Sequence, residues 1–146
     1  MVWGGISNFG KTSLYFVEES LNGKKYRELL LEHRQEIKEI FARRRWWFQQ
    51  DSAPCHRANV TKQHIERNLT KRILPHPAQS PDLNPIELIW ANMKVFVERR
   101  RPNNKTELKD AVKMAWRNIN IKFIRKCIEG LKGKMEKVIK NNGNVL

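Results

Sequence analysis

The period of the apolar residues changes along this chain, and that alternation most limits the folds open to it. Short β-type runs at residues 1–6, 13–17, 46–51 and 72–74 are separated by longer stretches in which apolar residues recur at helical spacing. Strands alternating with helices specify an α/β architecture. The first two runs flank Ser7, Asn8, Phe9 and Gly10, the turn residues a hairpin needs. From about 24 to 43, Tyr26, Leu29, Leu30, Ile37, Ile40 and Phe41 predict a helix, and Arg43, Arg44 and Arg45 suit the negative end of its dipole. The run 46–51 is compact and apolar until its last polar residues, the pattern of a buried strand that delivers Asp51 at its carboxyl end.

A second helix is expected over 58–68, followed by the short strand 72–74, which Pro75 and Pro77 stop. Asn84 and Pro85 open a third helix with Ile86, Ile89, Trp90, Met93 and Val97 on one face. Asn104 and Glu107 have capping-box spacing for a fourth, with Leu108, Ala111, Val112, Ala115, Trp116 and Ile119 turned inward. The last helix, 123–139, is weakened by Gly130 and Gly133. There is no internal repeat and no Gly/Ser linker, so residues 1–101 read as an α/β part and 102–146 as a basic helical end of the same domain.

Composition narrows the partners. With 146 residues the chain fits one domain, burying at most about 70% of its unfolded surface. Its 40% hydrophobic and 30% charged residues exclude both a wholly disordered chain and a membrane protein. Lys and Arg number 29 against 15 Asp and Glu, a net charge of +14, which implies a polyanionic partner: nucleic acid first, an anionic membrane surface second. The excess is uneven, with 12 bases and 4 acids in residues 101–146 alone. Cys55 and Cys127 are too few for a disulfide scaffold and lack zinc-site spacing to His, which suits a reducing compartment. No basic stretch followed by a long apolar run opens the sequence, so an intracellular protein is expected.

Asp51 and Glu87 carry the most chemistry, one ending a strand and the other beginning a helix. Ligand sites of open α/β sheets gather at strand ends, and paired carboxylates offer hard oxygen ligands for magnesium in phosphodiester chemistry. Each residue also has an ordinary reading, which spacing alone favours. Asp51 can bond local amides in a turn, and Glu87 stands where the Glu of a capping box would stand after Asn84. His56 reads as a loop histidine, with metal or phosphate contact the minority reading; His33, His64 and His76 lack partners at ligand spacing. Lys105, Lys109, Lys113 and Arg117 recur every fourth residue along one helical face, a stripe that either contacts DNA phosphates or is the solvated side of the helix. Trp46, Trp47, Trp90 and Trp116 read as core.

Two longer stretches are specific. Residues 48–56, Phe-Gln-Gln-Asp-Ser-Ala-Pro-Cys-His, and 74–90, Leu-Pro-His-Pro-Ala-Gln-Ser-Pro-Asp-Leu-Asn-Pro-Ile-Glu-Leu-Ile-Trp, closely resemble the second and third catalytic blocks of Tc/mariner-type DDE transposases. Residues 1–7 resemble the preceding strand, and 102–119 with Val138 and Ile139 resemble the C-terminal helices. The resemblance implies a ribonuclease H-like fold, in which a mixed sheet flanked by helices holds three acids around two Mg2+ (or Mn2+) ions. Asp51 would be the second acid and Glu87 the third, both metal ligands, with His56 supporting the site or touching DNA. The implied activity is hydrolysis at transposon ends and attack of the freed 3′ hydroxyl on double-stranded target DNA, usually at TA, by a nuclear protein. Pairing of two ends implies a homodimer, with no membrane partner.

The departures carry expectations of their own. The only aspartates are Asp51, Asp82 and Asp110, so the family's first Asp is missing; Glu18 and Glu19 read as exposed acids at the hairpin end. Ser52, His76 and Leu88 replace the more usual Asn, Trp and Asn, and the 35 residues between Asp51 and Glu87 are one more than is usual. The expectation is the C-terminal part of a longer transposase catalytic domain, inactive as it stands. Loss of the central first strand would leave unpaired backbone on its neighbours. The alternative is a remnant or co-opted domain that binds DNA without chemistry.

Overall fold

The turn at Asn8 and Phe9 folds the start of the chain into the expected hairpin, although its strands are far shorter than the β-type runs. β1 (Val2–Trp3) pairs antiparallel with β4 (Tyr15–Phe16), in the register Val2 to Phe16 and Trp3 to Tyr15. β2 (Ile6–Ser7) and β3 (Gly10–Lys11) flank the turn. The Thr12 amide donates to the Gly5 carbonyl at 2.9 Å, and the Gly5 amide returns a bond to the Thr12 hydroxyl at 2.8 Å. A Cβ at position 5 would stand 3.2 Å from the Thr12 methyl, so this close approach suits glycine. The computed structural model describes residues 1–42, 44–77 and 80–143. They divide into one unit of residues 1–5 and 9–81 and another of 6–8 and the chain from Asp82 onward.

In the first unit the single helix expected over 24–43 is two. α1 (Gly23–Glu32) starts at Asn22, whose side chain accepts the Lys25 amide at 3.0 Å, and α2 (Arg34–Phe41) follows His33. Arg43 lies outside the described residues. His33 leaves helical geometry with ψ near 0°; the residue is 8% exposed, and its ring lies 4.9 Å from that of Trp3 and 5.9 Å from that of Tyr15. The break docks that ring on the hairpin, a tertiary contact that helical periodicity does not encode.

The stretch 46–51 is not a buried strand. Only Phe48 enters a ladder, a parallel bridge to Ile73: its amide donates to the Arg72 carbonyl and its carbonyl accepts from Leu74, both at 2.8 Å. Successive side chains of an extended chain point to opposite faces. Trp46 accordingly stacks flat on Phe41 at 4.1 Å while Trp47 is 61% exposed, which corrects its reading as core. The described strands thus form short pairs and a bridge rather than the continuous mixed sheet expected. α3 (Pro54–Arg57) and α4 (Asn59–Asn68) follow. Tyr26, Leu30, Cys55 and Ile65 form the core of this unit, with Trp3, Phe48 and Ile73 packed against it.

The second unit is a helical assembly. A 3-10 turn (Pro81–Leu83) precedes α5 (Pro85–Arg100), which packs against both α6 (Lys105–Asn118) and α7 (Ile121–Lys140). α5 ends on Arg101 in the left-handed region, φ 45°, and Pro102 stops it. Ile89, Met93, Ala111, Ala115, Trp116, Ile119, Ile124 and Cys127 are buried, and Trp90 stacks on Trp116 at 5.4 Å. Leu108 is 43% exposed rather than inward, since it lies in the first turn of α6. α7 begins earlier than periodicity suggested, because the Asn120 side chain accepts the Phe123 amide at 2.9 Å, and it continues through Gly130 and Gly133. No described helix is long and apolar enough to cross a membrane.

Candidate active site

Asp51 follows the Phe48 bridge and is held by its own downstream chain. Its Oδ1 accepts the Ala53 amide at 3.0 Å and meets His56 Nδ1 at 2.6 Å. A carboxylate offers only lone pairs, so Nδ1 carries the proton in this contact. Oδ2 has no partner among the described residues, and the side chain is 51% exposed. Partial burial pushes the Asp51 pKa up, but the Ala53 amide, the His56 ring and the charge of His76 outweigh it and hold the group below its ordinary value. Asp51 is therefore ionised at neutral pH with one oxygen fixed and the other open. The ordinary turn reading describes Oδ1 well and leaves Oδ2 unexplained.

The surrounding residues fix this loop from several elements. The Tyr26 hydroxyl donates to Gln50 Oε1 at 2.9 Å, and Gln50 Nε2 donates to the His56 carbonyl at 3.1 Å. The Thr61 hydroxyl donates to the Cys55 carbonyl at 2.8 Å from a fully buried position. Gln49 Nε2 meets His76 Nδ1 at 3.2 Å, joining the two motif-bearing stretches within the first unit. Sequence reasoning read Tyr26 only as one of the residues at helical spacing and gave no role to Gln50 or Thr61. The only available signal was that two hydrogen-bonding groups, Gln50 and His56, flank Asp51 closely.

Glu87 belongs to the second unit, in the first turn of α5, where it is exposed. Its amide donates to the Asn84 carbonyl at 3.1 Å, but the Asn84 side chain makes no capping bond. Asn104 shows what capping looks like in the same unit: its Oδ1 accepts the Glu107 amide at 2.9 Å, and Glu107 Oε2 accepts the Asn103 amide at 2.8 Å. The first turn of α5 therefore lacks the side-chain cap that Asn104 gives α6. Glu18 and Glu19 are exposed, and Glu19 pairs with Lys25, which lowers its pKa. On α6, Lys105, Lys113 and Arg117 are exposed and Lys109 is half-buried; Lys113 lies 3.7 Å from Asp110. Among the described residues no three His, Cys, Asp or Glu side chains are gathered to hold a metal.

These residues fall in a region of recognisable kinship. Residues 1–109 match the family model described as DDE superfamily endonuclease. The Tc3 transposase of Caenorhabditis elegans is 27% identical over 146 residues, covering 99% of this chain and 44% of that protein. The Tcb2 transposase of Caenorhabditis briggsae is 28% identical, covering 98% of this chain and 52% of that protein. The chain thus spans about half the length of the curated relatives it matches. The Mos1 transposase catalytic domain with raltegravir and Mg superposes with a TM-score of 0.86 at 22% identity, over 99% of this chain and 76% of that one. A Mos1 paired-end complex with the left transposon end gives 0.83 at 23% identity, over 94% and 41%. The fold is that of the Mos1 catalytic domain.

Proposed function

We propose that this chain, which belongs to the DDE superfamily endonuclease family and to its Tc/mariner transposases, contributes two metal-binding acids to a domain that cuts transposon ends and joins them to target DNA. The observation that carries the proposal is the Asp51 carboxylate: ionised, half-exposed, anchored through Oδ1 and open at Oδ2. Its hard oxygen suits Mg2+ or Mn2+, the ions present with the Mos1 catalytic domain. When bound, a pair of such ions stabilises the attacking and leaving oxygens of phosphodiester displacement. Asp51 and Glu87 would be ligands, carried over residue by residue from the family's second and third acidic motifs. The first acid, with the central strand that bears it in a ribonuclease H-like sheet, would come from sequence outside residues 1–146. His56 would hold Asp51 in place.

Double-stranded DNA is the proposed partner, in the nucleus, with the basic α6 stripe on its phosphates and a second copy bringing the other transposon end. A Mos1 complex with a transposon end supports the DNA partner. The test is Mg2+- or Mn2+-dependent cleavage by an intact transposase containing this chain. Asp51→Asn and Glu87→Gln are each expected to abolish cleavage while DNA binding persists; cleavage at the unaltered rate contradicts the assignment.

A second reading is favoured by the net charge of +14: the 146 residues alone would bind DNA without cutting it. Replacing Lys105, Lys109, Lys113 and Arg117 with Ala is then expected to reduce the slope of log affinity against log salt by roughly 3 to 4. An unchanged slope removes the stripe from the DNA interface.

A further inference from the structure

We infer that Tyr26 on α1 is a positioning residue for the Asp51 carboxylate, acting through Gln50 and His56. The inference rests on the proposed role of Asp51 for its functional meaning, while its geometry stands independently.

Four contacts carry it. Tyr26 is 1% exposed, and its hydroxyl donates to Gln50 Oε1 at 2.9 Å. Gln50 passes the constraint on by donating from Nε2 to the His56 carbonyl at 3.1 Å. The Tyr26 ring itself packs on the His56 ring, with centroids 4.4 Å apart, and His56 Nδ1 meets Asp51 Oδ1 at 2.6 Å. The Tyr26 side chain therefore acts on His56 twice, at its backbone through Gln50 and at its imidazole by direct contact.

This arrangement answers a local difficulty. α3 has only four residues, too few to hold its own geometry in water. Its carbonyls at Cys55 and His56 are tied instead by Thr61 and Gln50, which sets the direction from which His56 reaches Asp51. With His56 and the Ala53 amide both on Oδ1, the carboxylate has one orientation, and Oδ2 faces away from these donors. A phenylalanine at position 26 would keep the ring and the packing but leave Gln50 Oε1 without its donor. Gln50 would then be released from one end, and with it the grip on His56.

The test uses the whole chain, isotopically labelled, and reads solvent exchange of the Ala53 amide, which donates to Asp51 Oδ1. Loss of one hydrogen bond in Tyr26→Phe is expected to speed Ala53 exchange roughly three- to tenfold. Ile65→Val, which trims the same core without touching the network, serves as the stability control and should leave Ala53 exchange near wild type. If Tyr26→Phe has no effect at Ala53, or no more than Ile65→Val, the positioning role is overturned. His56→Asn places an amide donor where Nδ1 stands and should restore most of the protection that His56→Ala removes; equal loss in both variants overturns the part assigned to His56. Mn2+ broadening of the Ala53 signal in wild type, absent in Asp51→Asn, reads the metal role separately. Failure of that arm contradicts the proposed function, whereas failure of the exchange arm contradicts only the network.

Discussion

In residues 9–81 the bonds that shape the structure join distant parts of the chain: Tyr26 to Gln50, Ser13 to Glu36, and Arg34 Nε to the Asn68 carbonyl at 3.1 Å. From Asp82 onward the helices largely complete themselves, Asn104 and Asn120 each capping the helix they precede. Long-range bonds there include Lys134 to the Asp82 carbonyl and Arg125 to the Asn8 carbonyl. The two proposed acids sit on opposite sides of this contrast. Asp51 depends for its orientation on residues scattered over the first unit, whereas Glu87 is presented by the first turn of a 16-residue helix. Substitutions far from Asp51 in sequence should therefore disturb its site more readily than comparable ones disturb the surroundings of Glu87.

The largest stability effect should come from the cores. Leu30→Ala and Ile89→Ala, each removing a side chain with no exposure, are expected to cost about 2–5 kcal/mol by denaturant titration. A cost near zero at either would show that its unit is not packed as described. Capping gives a sharper contrast: Asn104→Ala should cost about 1 kcal/mol, and Asn84→Ala, which removes no capping bond, markedly less. Equal costs would mean that Asn84 also caps and that Glu87 belongs to an ordinary capping box. Gly130→Ala and Gly133→Ala meet no atom within 4 Å and should each stabilise by about 0.5–1 kcal/mol in thermal unfolding.

The smallest effect is the acid response of the Asp51 loop. Its native pKa lies below that of the unfolded chain, so its contribution is complete above about pH 4 and disappears as pH falls through the lower native value. The half-exposed carboxylate keeps this contribution small. Asp51→Asn should flatten that part of the stability profile, and an identical acid limb in the variant would show that the Oδ1 contacts do not form.

The same contrast explains what was legible in the sequence. Residues 85–140 could be read closely because helical periodicity and caps are local: Ile89, Met93, Trp116 and Ile119 are inward as expected. The break at His33 and the exposure of Trp47 were not legible, because the first depends on a ring docking against a hairpin 18 to 30 residues away and the second on which face of one extended stretch meets the core. Asp51 and Glu87 stood out through their motifs. The residues that orient Asp51 did not, because a buried tyrosine and a glutamine acquire that role only when α1 lies against α3.

The most direct test of the account is to titrate Mn2+ into the labelled chain and follow paramagnetic broadening residue by residue. The account predicts selective loss at low metal of the amide signals beside Asp51, restored in Asp51→Asn, and of those beside Glu87, restored in Glu87→Gln. Broadening centred on other residues, or unchanged in Asp51→Asn, would contradict the assignment of these carboxylates as metal ligands.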